Sequence, residues 1–184
     1  MRILYIIVKF ITLPGAILHA FFEHLSCRMS RVIVDDARVI QANEMLSHVD
    51  HDLIQRKGAS FDICFIPFFF NLILGFLCLS HGATSIFYYM NFKDVVAWIS
   101  LYVGISLCTN LFPQIEDVLM LKENIYGDGK NIFLKIIVAP FFGIFYVGAY
   151  LEKWGITLLT SIGFSFAMPY ILGWFVPALY KLFS

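Results

Sequence analysis

The chain has 184 residues, of which 60% are apolar and only 14% charged, with a mean hydropathy of +0.80. A soluble globule of this size would need a larger polar coat, so the composition selects the membrane class. Thirteen basic and thirteen acidic residues cancel, which leaves no net field to recruit nucleic acid.

A bilayer core about 30 Å thick needs roughly 20 apolar residues in helix. Runs at 3–22, 61–79, 95–112, 132–150 and 157–180 reach that length or approach it. The expected architecture is an all-α polytopic membrane protein of about five spans, a single membrane domain with a cytoplasmic insertion at 23–60. Arg2 precedes the first run as in a signal peptide, but Lys9 interrupts it and no small-x-small cleavage site follows, so it is read as a retained helix. Pro14-Gly15 within that run predicts a kink or a short re-entrant break before His19.

Residues 23–60 form the longest polar stretch. Within it, Arg31 to Ile40 sets two β-rich triplets around Asp35-Asp36, a hairpin signal. Farther along, His48, Asp50, His51 and Asp52 cluster in a segment read as a solvated interfacial helix or loop rather than a metal site. Residues 83–92, with Tyr88 and Tyr89, suit the headgroup layer. In the last two spans, Gly143, Gly148, Gly163 and Gly173 offer small surfaces for helix packing, and the short Leu151–Gly155 connection makes these spans antiparallel neighbours. The four cysteines, Cys27, Cys64, Cys78 and Cys108, lack metal-site spacing and read as small buried hydrophobes.

Two polar constellations stand near membrane depth. His19 and Glu23 are four apart and share a helix face, so both can reach one metal ion or one proton path. His24 points about 100 degrees away from Glu23. The third run ends in Cys108-Thr-Asn-Leu-Phe-Pro-Gln-Ile-Glu-Asp117. Ionisable groups inside spans are costly, and a functional role is the default expectation.

The order Leu13-Pro-Gly-Ala-Ile-Leu-His-Ala-Phe-Phe-Glu-His24, then Pro67-Phe-Phe-Phe-Asn71, then Phe112-Pro-Gln-Ile-Glu-Asp117 resembles the motif order of site-2-protease-like membrane zincins. In that family a Pro-Gly stretch leads into His-Glu-x-x-His, a hairpin region and a Pro-Phe-x-x-Asn helix follow, and a Phe-Pro-x-x-x-Asp motif supplies a third ligand. The resemblance implies His19 as the first zinc ligand and Asp117 as the third. It also implies damage: Ala20 replaces the general base, and Glu23 occupies the place of the second histidine. A zinc peptidase needs an open metal position and a base for its water. No catalytic residue is therefore expected, with His24 as the substitute base if one exists.

The resulting expectation is a non-proteolytic, metalloprotease-like scaffold or regulatory subunit of a membrane complex, with other integral membrane proteins and the bilayer as partners and no nucleic acid. No cofactor is expected; if His19, Glu23 and Asp117 hold an ion, their one nitrogen and two oxygens allow zinc, and an oxygen-rich set also suits manganese or iron. The alternatives are an active intramembrane zinc metalloprotease with variant ligands and a channel or transporter subunit.

Basic residues orient short loops. Arg28, Arg31, Arg38, Arg56, Lys57, Lys122, Lys130 and Lys181 fall on one side and Arg2, Lys93 and Lys153 on the other, which places the N-terminus outside and 23–60 in the cytoplasm. With the native cysteines blocked, Arg38→Cys should be labelled by an impermeant reagent only from the cytoplasmic face. Labelling from outside would reject this orientation.

Overall fold

The computed structural model describes residues 2–36, 48–54, 56–127 and 132–183, with the side chains of 2, 134 and 176–183 left aside. Seven α-helices make up most of it: α1 (Arg2–Ile11), α2 (Leu13–Met29), α3 (Lys57–Ala83), α4 (Val95–Thr109), α5 (Ile115–Tyr126), α6 (Ile132–Lys153) and α7 (Ile156–Phe183). Two short strands, β1 (Val34–Asp36) and β2 (Asp50–His51), lie between α2 and α3. Among the described residues three helices are long and apolar enough to cross a membrane, and a fourth span results if the bent pair α1 and α2 is one crossing. These features are compatible with a multi-pass membrane protein.

The first expected span is not one rod. α1 and α2 meet at 95°, because Pro14 sits in the first turn of α2, where its missing N–H costs nothing and its ring prevents α1 from continuing. The polar groups at this bend are bonded from α4. Tyr102 Oη donates to the Ile11 carbonyl (2.8 Å), Ser106 Oγ to that of Thr12 (2.7 Å), and Asn110 Nδ2 to Thr12 Oγ1 (2.8 Å). Residues 102, 106 and 110 recur every four positions and so share one stripe of α4. Ser106 Oγ also accepts the Gly15 N–H at 2.7 Å. Gly15 is what permits this approach, since a Cβ there would collide with the Ser106 carbonyl.

The third expected span is also interrupted. α4 has 15 residues, about 22 Å of helix at 1.5 Å per residue, short of a full crossing. Asp94 caps its start by accepting the N–H groups of Val96 and Ala97. It ends before Pro113, whose ring disfavours helical backbone at the residue before it, and α5 resumes at Ile115 with Glu116 and Asp117 in its first turn, where the helix dipole favours acids. Both halves run antiparallel to α3. Gly82 faces Ala97 and Leu101, Gly75 faces Leu107 and Cys108, Asn71 bonds Asn110, and Asn124 bonds Ser60.

Two further contacts hold the break. Lys9 of α1 forms a buried ion pair with Glu152 near the end of α6, and the other Glu152 oxygen accepts the Phe112 N–H at 3.2 Å. The Phe112 ring lies over Gly148. Tyr126 Oη donates to the Lys135 carbonyl near the start of α6, so that helix, about 33 Å long, separates the Lys9 end of the bundle from the Tyr126 end.

α6 packs on α5 through Val138, Phe145 and Ala149 against Val118, Leu121 and Ile125. α7 packs on α3 and α4 through Met168. α6 and α7 contact each other less than they contact α5 and α4, so the expected antiparallel pairing of the last two spans is not the main packing of either. Nor are their glycines general packing surfaces. Only Gly148 is covered, while Gly143, Gly163 and Gly173 face open space; the close approaches instead use Gly15, Gly75, Gly82 and Gly104.

The polar insertion is shorter than the sequence suggested, because α2 runs on to Met29 and α3 begins at Lys57. β1 pairs antiparallel with β2, Val34 opposite His51. Asp35 and Asp36 therefore continue a strand rather than forming a turn, and they lack the glycine that a tight hairpin turn favours. The second triplet, 38–40, lies outside the described residues, as do 41–47 and 55. Cys27, Ile54, Ala59 and Ile63, with Val32 and Val34, pin the insertion to α2 and α3.

Gly15→Ala should destabilise the bundle by about 1–3 kcal/mol, the usual cost of overpacking, because the added methyl meets backbone rather than a movable side chain. Gly163→Ala, with nothing within 4 Å of its Cβ position, should stay within about 0.5 kcal/mol of the parent. Unfolding of detergent-solubilised protein measures both. Equal effects would remove the assigned α2–α4 contact.

Candidate metal centre

α2 presents His19 and Glu23 on its buried face, one turn apart, 1% and 2% exposed. Ala20 is also buried and offers no polar atom. The break after α4 then acts on His19. The Asn110 carbonyl, released from helical bonding at the end of α4, accepts the His19 Nδ1–H at 2.9 Å and the Asn71 amide at 2.7 Å. A histidine held through Nδ1–H by a carbonyl keeps its lone pair on Nε2, the arrangement that orients metal-ligating histidines. His19 Nε2 is buried and has no hydrogen-bond partner.

The insertion supplies what faces it. His48, read from sequence as part of a solvated segment, is 2% exposed, and its ring stands edge-on to His19 with centroids 5.1 Å apart. Its Nδ1 lies 3.3 Å from Glu23 Oε2, yet neither atom makes a hydrogen bond. The Val49 backbone N–H bonds the Glu23 carboxylate. Burial first, then the neighbouring Lys9, His19 and His51, hold His48 well below its ordinary pKa. That direction favours the neutral imidazole, the form that binds metal.

His19, Glu23 and His48 place their ligand atoms within 4.8 Å of one another. Among the described residues seven buried side-chain polar atoms lack a partner, and three of them are His19 Nε2, Glu23 Oε2 and His48 Nδ1. Buried polar atoms are nearly always paired. Three orphaned atoms converging on one spot constitute a candidate cation site, with two nitrogens and one carboxylate, the donor set of several catalytic zinc centres.

Asp117 enters from the first turn of α5, 4% exposed. It joins Glu23 and His51 in a second group whose ligand atoms again lie within 4.8 Å of one another. The β1–β2 ladder fixes His51; its Nδ1–H bonds the Asp52 carbonyl at 3.0 Å, and Nε2 lies 3.3 Å from Asp117 Oδ1. Burial pulls the His51 pKa down, but the Asp117 hydrogen bond and charge outweigh it and raise the group to about 9. An entering cation would displace that proton.

The three residues named from the sequence therefore all reach this region, with His19 and Asp117 meeting Glu23 in separate groups. His24 belongs to neither, and Asp50 and Asp52 are exposed. His48 and His51 complete the groups, and their three-residue spacing was the available signal. No chain segment adjacent to α2 in sequence marks them as its partners; the β1–β2 pairing brings them there.

Comparison with known proteins gave no match: no family model fits the chain, and neither a curated protein nor a solved structure resembles it at a meaningful level.

Proposed function

We propose that this chain is a zinc-binding membrane protein laid out like a membrane zincin, with His19, Glu23 and His48 as the zinc ligands, and that it works as a non-proteolytic regulatory or scaffold subunit. The observation that carries the metal is a group of three buried ligand residues, His19, Glu23 and His48, each with a side-chain atom that has no hydrogen-bond partner. Zinc suits two imidazoles and one carboxylate better than magnesium or calcium, which prefer oxygen. The zinc would tie the insertion to α2, since His48 and Glu23 come from those two elements.

The non-proteolytic part rests on Ala20, which cannot take a proton from a metal-bound water. A second reading is an active hydrolase. It is favoured by the donor set itself: His48 supplies the nitrogen that Glu23 appeared to remove, and three ligands leave a fourth position open.

Detergent-purified protein, stripped with chelator and reloaded, should retain zinc. His19→Ala and His48→Ala should each abolish tight retention, and His24→Ala should not. Asn71→Ala, which removes the amide shared with the Asn110 carbonyl, should weaken zinc binding by about 10- to 100-fold, the usual effect of disturbing a ligand's hydrogen-bonded support. Zinc retention indifferent to His48→Ala would sink the proposed ligand set. Chelator-sensitive cleavage of a membrane peptide, lost in His48→Ala, would replace the scaffold reading with the hydrolase.

A further inference from the structure

The first group leaves two side chains unused beside it. His51 and Asp117 are not spectators by geometry, because they converge on the same Glu23 carboxylate that serves His19 and His48. The two histidines Nε2 atoms are prepared alike. His19 Nδ1–H is held by the Asn110 carbonyl and His51 Nδ1–H by that of Asp52; His51 Nε2 lies 3.3 Å from Asp117 Oδ1, and His19 Nε2 is buried without a partner. Carbonyl-held imidazoles of this kind are oriented as ligands. Glu23 has one oxygen on the Val49 N–H and the other buried without a partner. Two buried carboxylates lie within 4.8 Å of each other, and a divalent cation between them would offset the charge of both in a weakly screening interior.

We infer that the site holds two divalent cations, the second bound by His51 Nε2, Asp117 and Glu23, with Glu23 bridging the pair. This rests on the zinc reading of the first group and extends it. The second donor set has one nitrogen and two carboxylates, so it accepts manganese or iron(II) as well as zinc. Carboxylate-bridged pairs of this type sit about 3.5–4 Å apart, within the span of the two groups. On loading, the proton shared by His51 and Asp117 leaves to solvent, and the cation takes its place between them.

Titration of the full chain in detergent with zinc alone should saturate at two ions per chain. Asp117→Asn and His51→Ala should each bring saturation to one, and Glu23→Gln should weaken both ions. Zero ions in the parent would overturn the zinc reading together with this one. Saturation at one ion, unchanged by Asp117→Asn, would overturn the second site and leave the first standing. Because these variants could fold poorly, the parent loaded with manganese alone offers a check that needs no substitution. A bridged pair gives an exchange-coupled electron paramagnetic resonance spectrum at two equivalents, whereas an isolated six-line signal at saturation would contradict the shared carboxylate.

Discussion

One backbone carbonyl organises the centre of this molecule. Asn110 ends α4, and a carbonyl at a helix end has no intrahelical donor. In a bilayer it must find one inside the protein, since an unsatisfied group there costs several kcal/mol. It finds two, His19 Nδ1–H and the Asn71 amide. That requirement fixes the His19 tautomer, joins α2, α3 and α4 at one level, and leaves Nε2 facing Glu23 and His48. Were α4 continuous through residue 114, the carbonyl would be used within the helix and His19 would lose its support.

The bend of α2 and the break of α4 compensate each other. Pro14 sets the bend, and the Tyr102, Ser106 and Asn110 stripe bonds the Ile11 and Thr12 carbonyls there. Pro113 frees Asn110, and His19 from the bent helix answers it. Irregular backbone at membrane depth is tolerated where it is buried in protein or lines a polar cavity, and Thr12 at the bend and Asn110 at the break are both buried. The Lys9–Glu152 pair secures the outer edge of the arrangement through the Phe112 N–H. Removing one member of such a buried pair is far more costly than the pair's net worth, because the other charge is left alone.

Helices long and apolar enough to cross a membrane were legible from composition, and the bend before His19 from Pro14-Gly15, because both depend on local chemistry. The shared face of His19 and Glu23 followed from helical periodicity. The number of continuous spans did not follow, since hydropathy over 95–112 is blind to a helix that stops at Asn110 and resumes at Ile115. The roles of His48 and His51 were less legible still. A polar segment rich in His and Asp looks the same whether it is solvated or folded against a helix, and only the pairing of Val34 with His51 decides between them. The misplaced packing glycines have a similar cause: sequence identifies a small residue but not which face of the helix is covered.

The central claim is that imidazole nitrogen from two distant segments and carboxylate oxygen from α2 meet on one ion. Zinc-edge X-ray absorption of the zinc-loaded protein tests it most directly. The account predicts a first shell of nitrogen and oxygen at about 2.0–2.1 Å, with the multiple scattering of coordinated imidazole and no sulfur. A shell near 2.3 Å, the zinc–sulfur distance, or a spectrum without imidazole scattering, would contradict it.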